Sequence, residues 1–313
     1  MPRVFTSADL DFFEESGYVI LHDAAPPDML QAAIAATWEF MEMDPNDPAT
    51  WYRPPARLNG MPELNGAGMV EMYHHPSLWA IRQLPRIHGA FADLWDTEHL
   101  WVTIDRVNLN VPNRPGQEFR GFIHWDIDTT LDPLPFDLQG VLSLTDAPAG
   151  HGGFQCVPGM PKRFAEWVKT QPVDRHPHRP DLTGLEVRRV EMRAGDLVIW
   201  NSQLAHGTSP NTSQSARLAM YLSMSPAQES NETARQWRVQ SWLHRIAPEG
   251  NPFPGDPRGW ERKHGVTAAL TPLGRRLLGL DLWSENGAGA QLEADMRLDQ
   301  RTGRRRATPG FAS

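Results

Sequence analysis

The stretch Gly121-Phe-Ile-His-Trp-Asp-Ile-Asp128 alternates polar and apolar residues with a period of two. In an extended chain, alternate side chains share a face. His124, Asp126 and Asp128 therefore point one way, and Ile123, Trp125 and Ile127 the other. The apolar face can pack. The polar face carries a carboxylate into the fold, and a buried carboxylate needs a partner. A divalent metal is one such partner. Among the twelve histidines there is no other His-x-Asp, and no His-x-Glu.

Downstream, Gly195-Asp-Leu-Val-Ile-Trp-Asn-Ser-Gln-Leu-Ala-His206-Gly-Thr208 supplies a second imidazole after an apolar strand. Two His and one carboxylate on one face of an iron ion leave its remaining positions open, the arrangement of non-haem Fe(II) oxygenases. Arg217 follows near the start of the next strand. An arginine inside a fold needs an anion, and its planar fork suits a carboxylate. A dicarboxylate chelating the iron at one end would place its far carboxylate there, with the Thr208 hydroxyl as a second donor.

The period of two recurs over 101–111, 122–128, 138–145, 154–157, 197–200 and 218–224. Arg106, Asn108 and Asn110 share one face of their strand. Gln139, Ser143 and Thr145 share another, and Arg217, Tyr221 and Ser223 a third. Each of these strands opposes its polar face with an apolar one. A barrel with a polar interior and helices outside satisfies all of them. Many short strands with Gly- and Pro-rich turns favour a jelly roll of the cupin type. The expected fold is thus mainly β with flanking helices around a double-stranded β-helix core.

The rest of the chain frames that core. Ser7-Ala-Asp-Leu-Asp-Phe-Phe-Glu-Glu-Ser-Gly17 reads as a capped short helix ended by Gly, and Tyr18-Val-Ile-Leu21 as a strand. A longer helix starts at Pro26-Pro-Asp-Met-Leu. Residues 44–68 read as a long loop and 77–95 as helical. Residues 158–185 form an insertion with one short helix. Helix returns after 226, including Leu270-Thr-Pro-Leu-Gly-Arg-Arg-Leu-Leu-Gly279. The expected organisation is one domain over 1–283: a helical part to 98, a jelly-roll core over about 100–226, and C-terminal helices over 227–283. A polar, Gly/Ala/Arg-rich tail occupies 284–313.

Composition narrows the function classes. The 313 residues carry a net charge of −8 with no sustained basic face, so no nucleic-acid partner is expected. The basic run over 301–306 reads as a solvated end. A single cysteine, Cys156, excludes a disulfide framework and a Cys-based zinc cluster. No apolar run approaches the ~20 residues of a membrane span. A cytoplasmic enzyme acting on a small molecule is expected; oligomeric state is left open.

Four segments taken in order carry a resemblance: Phe12-Phe-Glu-Glu-Ser-Gly-Tyr-Val-Ile-Leu21, His124-Trp-Asp126, Gly152-Gly-Phe-Gln-Cys-Val-Pro-Gly159, and Gly195-Asp-Leu-Val-Ile-Trp200 through His206, Thr208 and Arg217. The chain resembles the phytanoyl-CoA dioxygenase-like family of Fe(II)/2-oxoglutarate-dependent oxygenases. The resemblance implies Fe(II), 2-oxoglutarate and O2 as cofactors, with His124, Asp126 and His206 as metal ligands and catalytic centre. It implies Arg217, assisted by Thr208, as the cosubstrate's anchor. Arg106, Asn108 and Asn110 are the matching polar candidates on the preceding strand, and Gln139 is a further inward-facing candidate. The implied reaction is hydroxylation of a C–H bond with release of succinate and CO2.

One departure stands out. Family members often read Pro-Gly-Ser-His where this chain has Pro158-Gly-Met-Pro161, so acyl-CoA specificity does not carry over. Related halogenases replace the motif's Asp with a small residue, and Asp126 argues against that chemistry. The alternatives are a non-catalytic cupin-like binding protein and a Zn-dependent hydrolase using the same three ligands. A hydrolase needs no dicarboxylate anchor, so Arg217 weighs against it. Tyr73-His74-His75 and His176-Pro-His178 lack a nearby carboxylate pattern and are set aside as metal sites. Substrate contacts are expected from the loops over 52–75, 128–136 and 160–180 and from the C-terminal helices.

Overall fold

The computed structural model describes residues 3–52, 68–250, 253, 255–256 and 258–284. The tail expected after 284, its basic run, and most of the loop expected over 44–68 lie outside the described residues.

The strands are β1 (Tyr18–Leu21), β2 (Met69–Val70), β3 (Leu100–Val102), β4 (Val107–Asn110), β5 (Leu138–Ser143), β6 (Phe154–Cys156), β7 (Arg188–Arg189), β8 (Leu197–Asn201), β9 (His206–Thr208), β10 (Arg217–Tyr221) and β11 (Met224–Pro226). The helices are α1 (Ser7–Ser16), α2 (Pro27–Met41), α3 (Pro76–Arg82), α4 (Pro85–Trp95), α5 (Met160–Trp167), α6 (Glu232–His244), α7 (Trp260–His264) and α8 (Pro272–Leu278).

A six-stranded antiparallel sheet runs β1-β8-β5-β10-β4-β2, and a three-stranded sheet runs β7-β6-β9. Leu197 and Ile199 of β8 and Leu218 and Met220 of β10 join an apolar cluster with helical residues such as Phe40, Ile81, Phe91 and Leu277. Helices therefore cover the outer face of the large sheet. Val141, Val198, Trp200 and Ala219 point the other way, into a second cluster with Phe154 and Cys156 of the small sheet. Two antiparallel sheets packed face to face, with helices on one outer side, form the jelly roll. The interior departs from the expected all-polar lining. Its space is shared between this apolar cluster and a polar group that includes Asn108, Arg217 and Tyr221.

Local signals account for the helix ends. Thr6 caps α1 in a capping box with Asp9, and Gly17 closes it in the left-handed region at φ 83°. The helical region over 77–95 is two helices, because Pro85 starts a new one: its ring prevents α3 from continuing. The strand expected over 101–111 is likewise two, β3 and β4. Its partner over 218–224 breaks beside it, into β10 and β11. Thr103 and Ser223 sit at both breaks, where Thr103 N–H donates to the Ser223 carbonyl at 2.8 Å and Ser223 N–H to Thr103 Oγ1 at 3.0 Å.

The strand expected over 122–128 reduces to a single bridge, His124 to His206. Beyond it the backbone is taken by another partner. Trp125 N–H donates to the His178 carbonyl at 3.0 Å, and Thr129 N–H to that of Pro177 at 3.4 Å. The insertion thus occupies the edge where a strand neighbour would pair. No helix among the described residues is long and apolar enough to cross a membrane.

Candidate metal centre

The bridge brings two histidines side by side. His124 N–H donates to the His206 carbonyl at 2.8 Å, and His206 N–H to that of His124 at 3.0 Å. Gly207 makes this approach possible, since a Cβ there would lie 1.9 Å from the Phe122 carbonyl oxygen. Alternation holds through the short extended segment. His124 and Asp126 meet on one side. Trp125 is buried on the other, 5.8 Å from the Phe164 ring and 5.5 Å from that of Trp167.

Both imidazoles are oriented by backbone. His124 Nδ1 donates to the His206 carbonyl at 3.0 Å, and His206 Nδ1 to the Leu204 carbonyl at 2.9 Å. A carbonyl only accepts, so Nδ1 is the donor in each ring, which leaves Nε2 as the atom turned toward Asp126. His124 Nε2 is 3.0 Å from Oδ1, and His206 Nε2 is 3.5 Å from Oδ2. One ligand atom from each residue lies within 4.8 Å of the other two. With neutral rings the two Nε2 lone pairs and the carboxylate converge on one point, the donor set a cation takes. Adjacent ligands around an ion with bonds near 2.1 Å lie about 3 Å apart, which the two His–Asp separations approach. Asp126 is half exposed rather than buried as expected; the protein around it pushes its carboxyl up, but its interactions with His124 and His206 outweigh that and hold it well below the usual carboxylate range.

The polar residues deeper in the barrel divide by partner. Arg217 is buried, and its Nη1 donates to Asn108 Oδ1 at 2.8 Å while its Nε has no partner. No carboxylate among the described residues pairs with it. Burial lowers its pKa, and the Tyr221 phenol is the one group opposing that shift. A buried cation without an anion is a site prepared for one. Thr208 lies two residues after His206 on the same alternation. Its carbonyl accepts from Gln155 Nε2 at 3.2 Å, whereas its hydroxyl makes no hydrogen bond to the described residues.

Asn110 stands opposite Arg217 in the β4–β10 ladder, and its side chain donates to the Gly152 carbonyl at 3.4 Å. Arg106 is engaged elsewhere. Its guanidinium meets the buried Glu71 at 2.6 Å and lies 4.3 Å from the centre of the Phe253 ring. Gln139 donates to Asp126 Oδ2 at 2.6 Å, so it reaches the carboxylate rather than the Arg217 end.

A family model described as phytanoyl-CoA dioxygenase matches residues 13–219. The chain belongs to the phytanoyl-CoA dioxygenase family. Ava biosynthesis cluster protein O of Aspergillus versicolor is 24% identical over 259 residues, covering 75% of this chain and 82% of that one. Among solved structures, the hypothetical protein JW0805 of Escherichia coli matches at a TM-score of 0.66 with 17% identity, over 88% of this chain and 82% of that one. The epimerase SnoN from nogalamycin biosynthesis, solved with Fe3+ and alpha-ketoglutarate, matches at a TM-score of 0.50 with 18% identity, over 70% and 83%. These structural likenesses bear on the fold, which is that expected from the sequence.

As a member of the phytanoyl-CoA dioxygenase family, the protein is an oxygenase of the iron and 2-oxoglutarate type. The expected cofactors, Fe(II), 2-oxoglutarate and O2, fit both the family and the donor set.

Two residues beside the centre were not singled out from sequence. The Trp200 ring is tilted against that of His206, with centroids 4.8 Å apart, and Phe154 lies 6.1 Å away and nearly parallel. The signal was present in alternation, which puts Trp200 on the inward face of its strand, but aromatic content reads first as core. The set-aside histidines are satisfied by other groups. His74 is buried against the Ile246 carbonyl and Ser241, and His178 Nδ1 faces the Trp125 carbonyl at 3.2 Å. Asp128 accepts from Thr130 N–H and hydroxyl as a turn carboxylate does.

Proposed function

We propose that this protein hydroxylates a C–H bond of a small molecule, consuming O2 and 2-oxoglutarate and releasing succinate and CO2. His124, Asp126 and His206 would hold the iron, and Arg217 with Thr208 the far carboxylate of 2-oxoglutarate. The observation that carries this reading is the buried, carboxylate-free Arg217 in the same barrel as the three converging ligands. A hydrolase has no use for such a cation. When bound, iron would activate O2, with 2-oxoglutarate and the substrate each giving two electrons, so that one oxygen atom ends in succinate and the other in the product.

The protein's own groups supply placement. The two Nδ1 hydrogen bonds hold both imidazoles with Nε2 forward. Arg217 and the Thr208 hydroxyl offer donors at a fixed place, which sets how the dicarboxylate lies. A bidentate or charge-assisted contact there is stronger than a neutral one. The apolar cluster of Phe154, Trp200 and Val198 keeps water from one side of His206. Residues 1–283 are read as one domain, since β1 pairs with β8 and α8 packs on β3.

The test is turnover with Fe(II), 2-oxoglutarate, O2 and candidate small molecules. Succinate should form, and the product should gain one oxygen atom derived from 18O2. A product lacking two hydrogens, or altered only in configuration, would replace hydroxylation with another outcome of the same site. Activity surviving in His206→Ala or Asp126→Ala would remove the ligand assignment.

A further inference from the structure

We infer that Gln139 is a positioning residue that holds Asp126 to a single metal-binding oxygen. The inference rests on the reading of His124, Asp126 and His206 as metal ligands. Gln139 Nε2 donates to Asp126 Oδ2 at 2.6 Å, and Gln139 Oε1 accepts from Trp200 Nε1 at 3.1 Å. The polarity of this relay is fixed at both ends. An indole N–H only donates, so it selects the amide oxygen. A carboxylate only accepts, so it selects the amide nitrogen. Rotating the amide by half a turn would set N–H against N–H and oxygen against oxygen. Trp200 therefore orients Gln139, and Gln139 in turn occupies Oδ2. The oxygen left without a side-chain donor from outside the triad is Oδ1, 3.0 Å from His124 Nε2, while Oδ2 shares its Gln139 hydrogen bond with a longer 3.5 Å approach to His206 Nε2.

Counting positions says why this matters. Two imidazoles and one carboxylate oxygen fill three of six positions. A chelating 2-oxoglutarate fills two more, and one remains for O2. A carboxylate binding through both oxygens would take a position that the cosubstrate or O2 needs. The Gln139 hydrogen bond opposes that by engaging Oδ2 strongly. The same indole ring lies 4.8 Å from the His206 ring, so Trp200 touches one ligand directly and the other through Gln139.

Gln139→Leu keeps the side chain's bulk and removes the donor. Trp200→Phe keeps an aromatic ring beside His206 and removes the N–H that orients Gln139, together with part of the buried indole's bulk. Each variant is titrated anaerobically with Fe(II) and then 2-oxoglutarate, following the weak visible charge-transfer band, and its metal-free unfolding midpoint is measured. Gln139→Leu should weaken 2-oxoglutarate binding about tenfold or more and shift the band. Trp200→Phe should move both in the same direction by less, with the metal-free midpoint of Gln139→Leu little changed. An unchanged band and affinity in both variants, beside a normal band in the unaltered protein, would overturn the role of Gln139 alone. No band in the unaltered protein would overturn the metal reading and this inference with it.

Discussion

Arg217 Nε is buried without a partner, whereas the half-buried Thr208 hydroxyl makes no hydrogen bond to the described residues. A buried unpaired atom is where a ligand gains most, because binding relieves a cost already present in the fold; the Thr208 hydroxyl adds an ordinary hydrogen bond. Thr208→Val replaces the hydroxyl with a methyl of the same shape. With no protein partner lost, the unfolding midpoint should stay within a degree or so. The 2-oxoglutarate dissociation constant should rise roughly 3- to 10-fold, the value of one ordinary hydrogen bond. A variant that binds the cosubstrate normally would remove Thr208 from the site. At this scale the sequence was readable wherever alternation decides direction. His124 beside Asp126, and Trp125 turned away, follow from a period of two. Arg106 was not readable in the same way. Alternation put it with Asn108 and Asn110, but its partner Glu71 lies on a separate segment, and no local pattern announces that buried pair.

Strand positions were legible and strand ends were not. The apolar alternation of 138–145 and 197–200 marks β5 and β8 because their two faces meet different environments. The segment at 122–128 has the same alternation and forms one bridge, since hydrogen bonds from the insertion replace the neighbour a strand would need. Pairing depends on what lies alongside, which a local period does not encode. The bridge depends on Gly207. Gly207→Ala would drive a methyl into the Phe122 carbonyl and separate β9 from the segment carrying His124. Overpacking of this kind costs about 1–3 kcal/mol. The expected result is a lower unfolding midpoint together with a larger loss in Fe(II) affinity, read by denaturation and by metal titration of the same sample. A lower midpoint with unaltered metal affinity would show that the bridge does not set the ligand geometry.

Across the whole molecule, the proposed metal ligands and the residues around them come from distant parts of the chain and span two sheets. His206 belongs to the small sheet, Arg217 to the large one, and Gln139 to a strand of the large sheet that reaches Asp126. A ligand that ties these together stabilises the folded state alone. Saturating Fe(II) and 2-oxoglutarate under anaerobic conditions should therefore raise the unfolding midpoint by a few degrees, and a chelator should reverse it. No shift would mean that the convergent ligands do not bind metal as a unit. The layered architecture was legible in sequence because both faces of the strands were patterned. The partly apolar interior was not, because Val141, Val198 and Ala219 sit among polar neighbours and only packing shows which cavity they fill.

The central claim is that one barrel holds a metal triad and a separate anion anchor for the same cosubstrate. The most direct test is anaerobic titration of Fe(II)-loaded protein with 2-oxoglutarate, comparing the unaltered chain with Arg217→Ala. The account predicts a visible charge-transfer band in the unaltered protein, and a dissociation constant roughly 10- to 100-fold higher in the variant. A band that forms at the same 2-oxoglutarate concentration in both would contradict it.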